Sequence, residues 1–177
     1  FYKFIAFFVF VIGKCSICHA DLVIKIVVIF FVHTKFEKQT GSNQNKNTGD
    51  RYQDHPFLLH AKLGAYVASS KYDIEDEEIL TAITYHTTGR PGMSLLEKIV
   101  YISDYIEPMR DKAPNLAKVR KIAFEDLDEC MYEILKDTLE YLEENPKEID
   151  STTRDAYVYY KELHDRKMQD AANRQED

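Results

Sequence analysis

The chain has 177 residues, enough for one compact domain with its own core. Its 45% apolar and 30% charged composition is that of a soluble globular protein, and three cysteines are too few for a disulfide framework, so a reducing, cytoplasmic setting is the expectation. Residues 1–49 hold six lysines and two acids, a net +4, whereas residues 50–177 hold 17 basic and 28 acidic side chains, a net −11; an acidic body argues against non-specific nucleic-acid binding, which needs a basic footprint.

The chain opens on Phe, which points to a fragment or a misread start. Residues 1–38 form an atypical apolar segment that carries eight of the ten phenylalanines and one of the twelve tyrosines. Phe4–Ile12 and Leu22–Val32 are apolar runs, the second broken by Lys25, and both are shorter than the ~18 residues of a membrane-spanning helix. No membrane association is expected. Lys3 ahead of the first run gives the outline of a signal peptide with a cut after Ala20. A buried strand or helix explains the same run, and periodicity does not separate the two. Cys15-Ser-Ile-Cys18-His19 fits the short pattern for covalent haem attachment. Residues 39–50 are a polar, low-complexity linker.

From residue 51 the pattern becomes regular, and a helical domain is expected over 51–165 with a polar, fraying tail at 166–177. Helices are predicted near 57–71, 75–87, 94–106, 114–123, 125–143 and 152–165. Ser94-Leu-Leu-Glu97 is a capping box that fixes the start of its helix. Gly89, Pro91 and Gly92 end the helix before it and make the turn. Leu127, Met131, Ile134, Leu135, Thr138 and Leu142 follow helical spacing. Pro146 ends that helix after Asn145.

Three polar side chains fall at or beside core-facing positions of three successive helices. His60 shares a face with Leu63, Gly64 and Val67, and Gly64 allows a close approach. His86 lies on the stripe of Ile79 and Ile83. Asp104 sits at the edge of the stripe made by Leu95, Ile99, Ile102 and Ile106. Each has an ordinary explanation: inward histidines are usually satisfied core residues, and an edge aspartate usually pairs with a neighbouring base, here Arg110. Together they suit a metal ion, because a buried carboxylate needs compensation and a divalent cation supplies it. Arg90 and Arg110 would then neutralise phosphate oxygens, although Arg90 reads equally as solvated surface.

The segments His-Pro-Phe-Leu-Leu-His60-Ala-Lys-Leu-Gly-Ala-Tyr, Ile-Thr-Tyr-His86-Thr-Thr-Gly-Arg-Pro-Gly-Met-Ser-Leu-Leu-Glu-Lys and Asp104-Tyr-Ile-Glu-Pro-Met-Arg110 together resemble the YqeK branch of the HD-domain phosphohydrolases, the symmetrical bis(5′-nucleosyl)-tetraphosphatases. The resemblance covers roughly residues 52–165. It implies an all-α, HD-like helical bundle, a divalent metal of the iron type, and cleavage of diadenosine tetraphosphate into two ADP. It also implies catalytic roles for Asp104 and Arg110, with Asp104 as a metal ligand. Nucleotide contacts carry over to His60, His86, Thr87, Arg110 and the segment Lys147, Glu148, Ile149, Asp150, Ser151 and Thr152. Dinucleoside polyphosphate or ADP would be the partner, and a homodimer is possible on this reading.

The chain departs from that family in its first third. The His-Asp doublet that names the superfamily is absent, and the pair His164-Asp165 falls in the C-terminal helix. His33-Thr34 is the nearest stand-in, and threonine lacks the anionic oxygen that a hard metal prefers. The abrupt change of composition favours a frameshifted or misassembled N-terminal stretch over a degenerate copy. The alternatives are a nucleotide-binding pseudoenzyme of the same fold, a haem protein, and a plain helical interaction domain.

Overall fold

The computed structural model describes residues 56–107, 110–113, 115–143 and 150–174. These residues form helices and connecting turns, with no strand among them: α1 (Pro56–Tyr72), α2 (Glu77–Tyr85), α3 (Leu95–Tyr105), α4 (Leu116–Ile122), α5 (Leu127–Leu142) and α6 (Ser151–Asn173). The all-α expectation holds, and each predicted helix is present, all but α6 within a few residues of their expected ends. The apolar segment 1–38, with Cys15, Cys18, His19 and His33, and the linker 39–50 lie outside the described residues. None of the described helices is long and apolar enough to cross a membrane.

Local chemistry sets the helix starts. Asp76 caps α2 by accepting from the backbone N–H groups of Glu78 and Ile79, and Asp126 does the same for α5 through Asp128 and Glu129. The capping box at α3 is complete: Ser94 Oγ accepts from Glu97 N, and the Glu97 carboxylate accepts from Ser94 N at 2.7 Å. Between α2 and α3, Gly89 takes φ +67° and donates its N–H to Tyr85 O at 2.9 Å. That left-handed conformation suits glycine, and a Cβ here would meet Tyr101, Ala156 and Leu135.

The helices pack in sequence order, α1 on α2 and α2 on α3, with α5 bridging α3, α4 and α6. Two apolar clusters result. The first joins Ala68, Ile79, Ala82, Ile83, Leu96, Ile99 and Val100; the second joins Tyr101, Ile102, Ile106, Val119, Met131, Ile134, Leu135, Ala156 and Tyr160 with their neighbours. α3 belongs to both and is therefore buried almost all round. The predicted single stripe is too narrow for that position: Leu95 is only partly buried, whereas Leu96 is fully covered. Gly64 does permit a close approach, and the group that comes close is Ile83 of α2.

The expected fraying beyond residue 165 is corrected by α6, which continues to Asn173. Its polar turns are held by side chains. Lys161 pairs with Asp165 one turn on, and Lys167 reaches back to Asp126 at 2.6 Å, at the start of α5. His164 bonds the Glu129 carboxylate at 2.8 Å and stacks on Tyr132 with ring centroids 4.2 Å apart. The sole His-Asp pair in the sequence thus serves helix packing. Cys130 is a buried free thiol, and burial pushes it up to about 12, so it stays protonated at neutral pH.

Candidate functional site

The C-terminal ends of α2 and α3 and the C-terminal half of α5 surround a cavity of about 440 Å³, within the ~300–1,000 Å³ usual for small-molecule sites. Its wall includes His86, Thr87, Asp104 and Arg110, four residues singled out in the sequence. His60 is brought in through its partner. His60 Nε2 and His86 Nε2 lie 3.0 Å apart, and His86 Nδ1 lies 2.6 Å from Ile83 O. A carbonyl only accepts, so His86 carries its proton on Nδ1, and the ring-to-ring bond has His60 Nε2 donating when His86 is neutral. One proton sits between the two rings. The pair therefore carries at most one positive charge, and both imidazoles cannot act as cations on a phosphate together.

Asp104 is more open than its predicted place at the core edge. Its side chain is 54% exposed and lies 3.7 Å from the Arg110 guanidinium. The reason is position: Asp104 is in the last turn of α3, where the bundle opens onto the cavity. Arg110 also lies over the Tyr105 ring, 5.2 Å from its centroid. Burial, joined by the charge of Asp137 and opposed by that of Arg110, pushes the Tyr105 phenol up to about 12. Tyr101 is also raised, chiefly by burial. Both hydroxyls are thus protonated donors at neutral pH.

Arg90 does not join the site. Its guanidinium binds Glu97 by two 2.7 Å hydrogen bonds, Nε to Oε1 and Nη2 to Oε2, and Glu97 is 1% exposed. Neither the phosphate role nor the solvated-surface reading holds, because the capping glutamate is buried and takes the arginine as its counter-ion. Lys147, Glu148 and Ile149 lie outside the described residues. Asp150 caps α6 by accepting from Thr152 N at 2.8 Å, Ser151 is exposed, and Thr152 is half-buried.

Sequence reasoning missed Lys112, Tyr101, Tyr105, Asp137 and Tyr141, all in the cavity wall. Lys112 was recoverable as a second cation two residues after Arg110. Asp137 and Tyr141 carry no such signal, since they sit on a helix whose pattern reads as a core stripe. Burial holds the Asp137 carboxyl above its ordinary range, with the charges of Glu133 and Glu140 acting the same way against the Asn115 hydrogen bond and Lys136. An acid raised on folding destabilises the fold once the pH exceeds its ordinary value of 3.8, and that cost disappears below it. Asp137→Asn is expected to raise the thermal midpoint at pH 7 and to leave it unchanged near about pH 3. Melting curves at both pH values check this, and no gain at pH 7 would count against it.

Among the described residues no group of three His, Cys, Asp or Glu side chains could hold a metal ion. Among the described residues Asp104 offers an exposed carboxylate beside the cavity, with a cation nearby. The described residues do not by themselves make a metal centre.

The HD-domain family profile matches residues 25–109, from within the apolar segment to just beyond α3. Over that stretch, just under half of its length, the chain is similar to HD domains. It is 40% identical over 122 residues to a Bacillus subtilis protein named symmetrical bis(5′-nucleosyl)-tetraphosphatase, a match covering 67% of this chain and 65% of that one. A Halalkalibacterium halodurans protein of the same name is 51% identical over 85 residues, 48% of this chain and 45% of that one. The chain thus spans less than two-thirds of the length of these relatives. Among solved structures, a Clostridium acetobutylicum protein described as a predicted HD superfamily hydrolase involved in NAD metabolism aligns with a TM-score of 0.72 at 29% identity, covering 91% of this chain and 86% of that one.

Proposed function

We propose that this chain is a phosphohydrolase that cleaves diadenosine tetraphosphate symmetrically into two ADP. The observation that carries the reading is the convergence of His86, Thr87, Asp104 and Arg110 on one cavity, in a chain whose relatives bear that enzyme's name. In this reading Arg110 and Lys112 neutralise phosphate oxygens, Arg110 through paired hydrogen bonds and Lys112 as a point charge. Thr87 Oγ1 and the protonated Tyr105 hydroxyl are further donors in the wall. The hydrogen bond from His60 orients the His86 imidazole in the cavity wall. The leaving group is a nucleoside diphosphate, so strong general acid catalysis is dispensable. A divalent metal, iron in the finer version of this proposal, would be the cofactor, with Asp104 the described residue that could hold it and Lewis acidity the chemistry it would supply.

The test is incubation of the full chain with diadenosine tetraphosphate and Fe²⁺, Mn²⁺ or Mg²⁺, with products separated by ion exchange. ADP alone, abolished by a chelator, is the expected result. ATP with AMP would rule out symmetrical cleavage. A thermal shift with ADP but no turnover under any metal would favour the pseudoenzyme reading, which the missing His-Asp doublet motivates.

A further inference from the structure

We propose that Asp137, held by Asn115, forms a sugar-recognition end of the cavity, where its carboxylate accepts hydrogen bonds from the vicinal hydroxyls of a ribose and makes the site selective for ribonucleotides. The inference rests on the nucleotide-binding reading above and adds to it a residue and a selectivity.

Asp137 is 3% exposed and lines the cavity. Its Oδ1 accepts from Asn115 Nδ2 at 3.0 Å, while its buried Oδ2 has no hydrogen-bond partner. Among the described residues two buried side-chain polar atoms lack a partner, this one and Thr87 Oγ1, and both residues line the same cavity. A buried unpaired carboxylate oxygen is expensive and calls for a partner. Asn115 adds to this. It stands at the N-cap of α4, a position where asparagine usually bonds its own helix, yet it makes no cap bond and donates to Asp137, 22 residues on. Asp137 is therefore held in place by a residue that forgoes its local role.

The chemistry narrows the ligand group. A carboxylate repels phosphate oxygens, so Asp137 does not serve the polyphosphate, which has Arg110 and Lys112 on a different segment. The described residues offer no third ligand that would make it a cation site. What remains is an uncharged donor. A vicinal diol presents two adjacent hydroxyls to one carboxylate, as in the acidic recognition of ribose by dinucleotide-binding folds. The surrounding Tyr105 and Tyr141 side chains give the rest of the nucleoside an aromatic wall.

The experiment is calorimetric titration of the full chain with ADP, 2′,3′-dideoxyadenosine diphosphate and inosine diphosphate, followed by the same series on Asp137→Asn and Asp137→Ala. The wild-type chain is expected to bind ADP about tenfold or more tightly than the dideoxy analogue, the loss that follows from removing a hydrogen bond to a charged group. Both variants should bring that ratio close to one while still binding inorganic pyrophosphate as the wild type does. A wild-type ratio near one, with ADP bound, overturns the inference and leaves the function standing; this measurement needs no variant to fold. If inosine diphosphate, and not the dideoxy analogue, is the weaker ligand, Asp137 reads the base and the sugar assignment fails. If the wild type binds no ADP, the nucleotide reading falls and this inference with it.

Discussion

Arg90→Ala is expected to destabilise the domain by about 3 kcal/mol, at the lower end of what breaking a buried ion pair costs. The cause is what the substitution leaves behind. Glu97 is fully buried on α3, between the two apolar clusters, and the arginine supplies two of its three short hydrogen bonds. Without Arg90 the carboxylate keeps only the Ser94 N–H and must stay charged in an apolar site or take up a proton. The hydrogen bond to Glu97 is also the main reason the Arg90 guanidinium is raised above its ordinary range. Glu97→Gln should be milder, about 1–2 kcal/mol, because a neutral amide keeps part of the cap and Arg90, about a third exposed, can turn to water. The double variant should cost less than the sum of the two. Urea unfolding measures all three, and an Arg90→Ala chain as stable as the wild type would show that the pair is idle.

Arg110→Ala should lower turnover of diadenosine tetraphosphate by about a hundredfold or more, the usual cost of removing one preorganised group that stabilises developing charge. The guanidinium is held by the Tyr105 ring on one side and the Asp104 carboxylate on the other, so little reorganisation is needed when a phosphate arrives. Arg110→Lys should recover only part of the loss, because an ammonium cannot make the paired hydrogen bonds or lie flat on the ring. Stability should change little, since the side chain is well exposed. Steady-state rates alongside thermal melts separate the two effects. Undiminished turnover in Arg110→Ala would remove this arginine from the site.

Much of the helical architecture was legible because its signals are local. The capping box at Ser94 and Glu97, the glycines at 89 and 92 and the stripe on α5 act within a turn or two of the chain, and all three are present. The convergence of His60, His86, Asp104 and Arg110 was legible because they flank the ends of consecutive helices. What stayed hidden depends on partners distant in sequence. Arg90 looked like a free cation because nothing local says that Glu97 is buried. The last two turns of α6 were expected to fray because the residues that anchor this helix, Asp126 and Glu129, lie more than thirty positions away. Asp137 was masked by its helix, whose apolar spacing gives no sign that one side faces a cavity.

Arg120 of α4 donates to three carbonyl oxygens in succession, those of Ile106 at 3.2 Å, Glu107 at 2.8 Å and Arg110 at 3.0 Å. The first two are acceptors left over at the end of α3; the third belongs to the residue that carries the positive charge into the cavity. One side chain outside the cavity therefore ties the carbonyl of Arg110 to the end of α3. Lysine at 120 could reach fewer of these oxygens, and Arg110 would be held less firmly without any change in the groups that meet a ligand. Affinity could thus be tuned from the rear of the bundle, a route by which close homologues could diverge while their cavity linings remain identical.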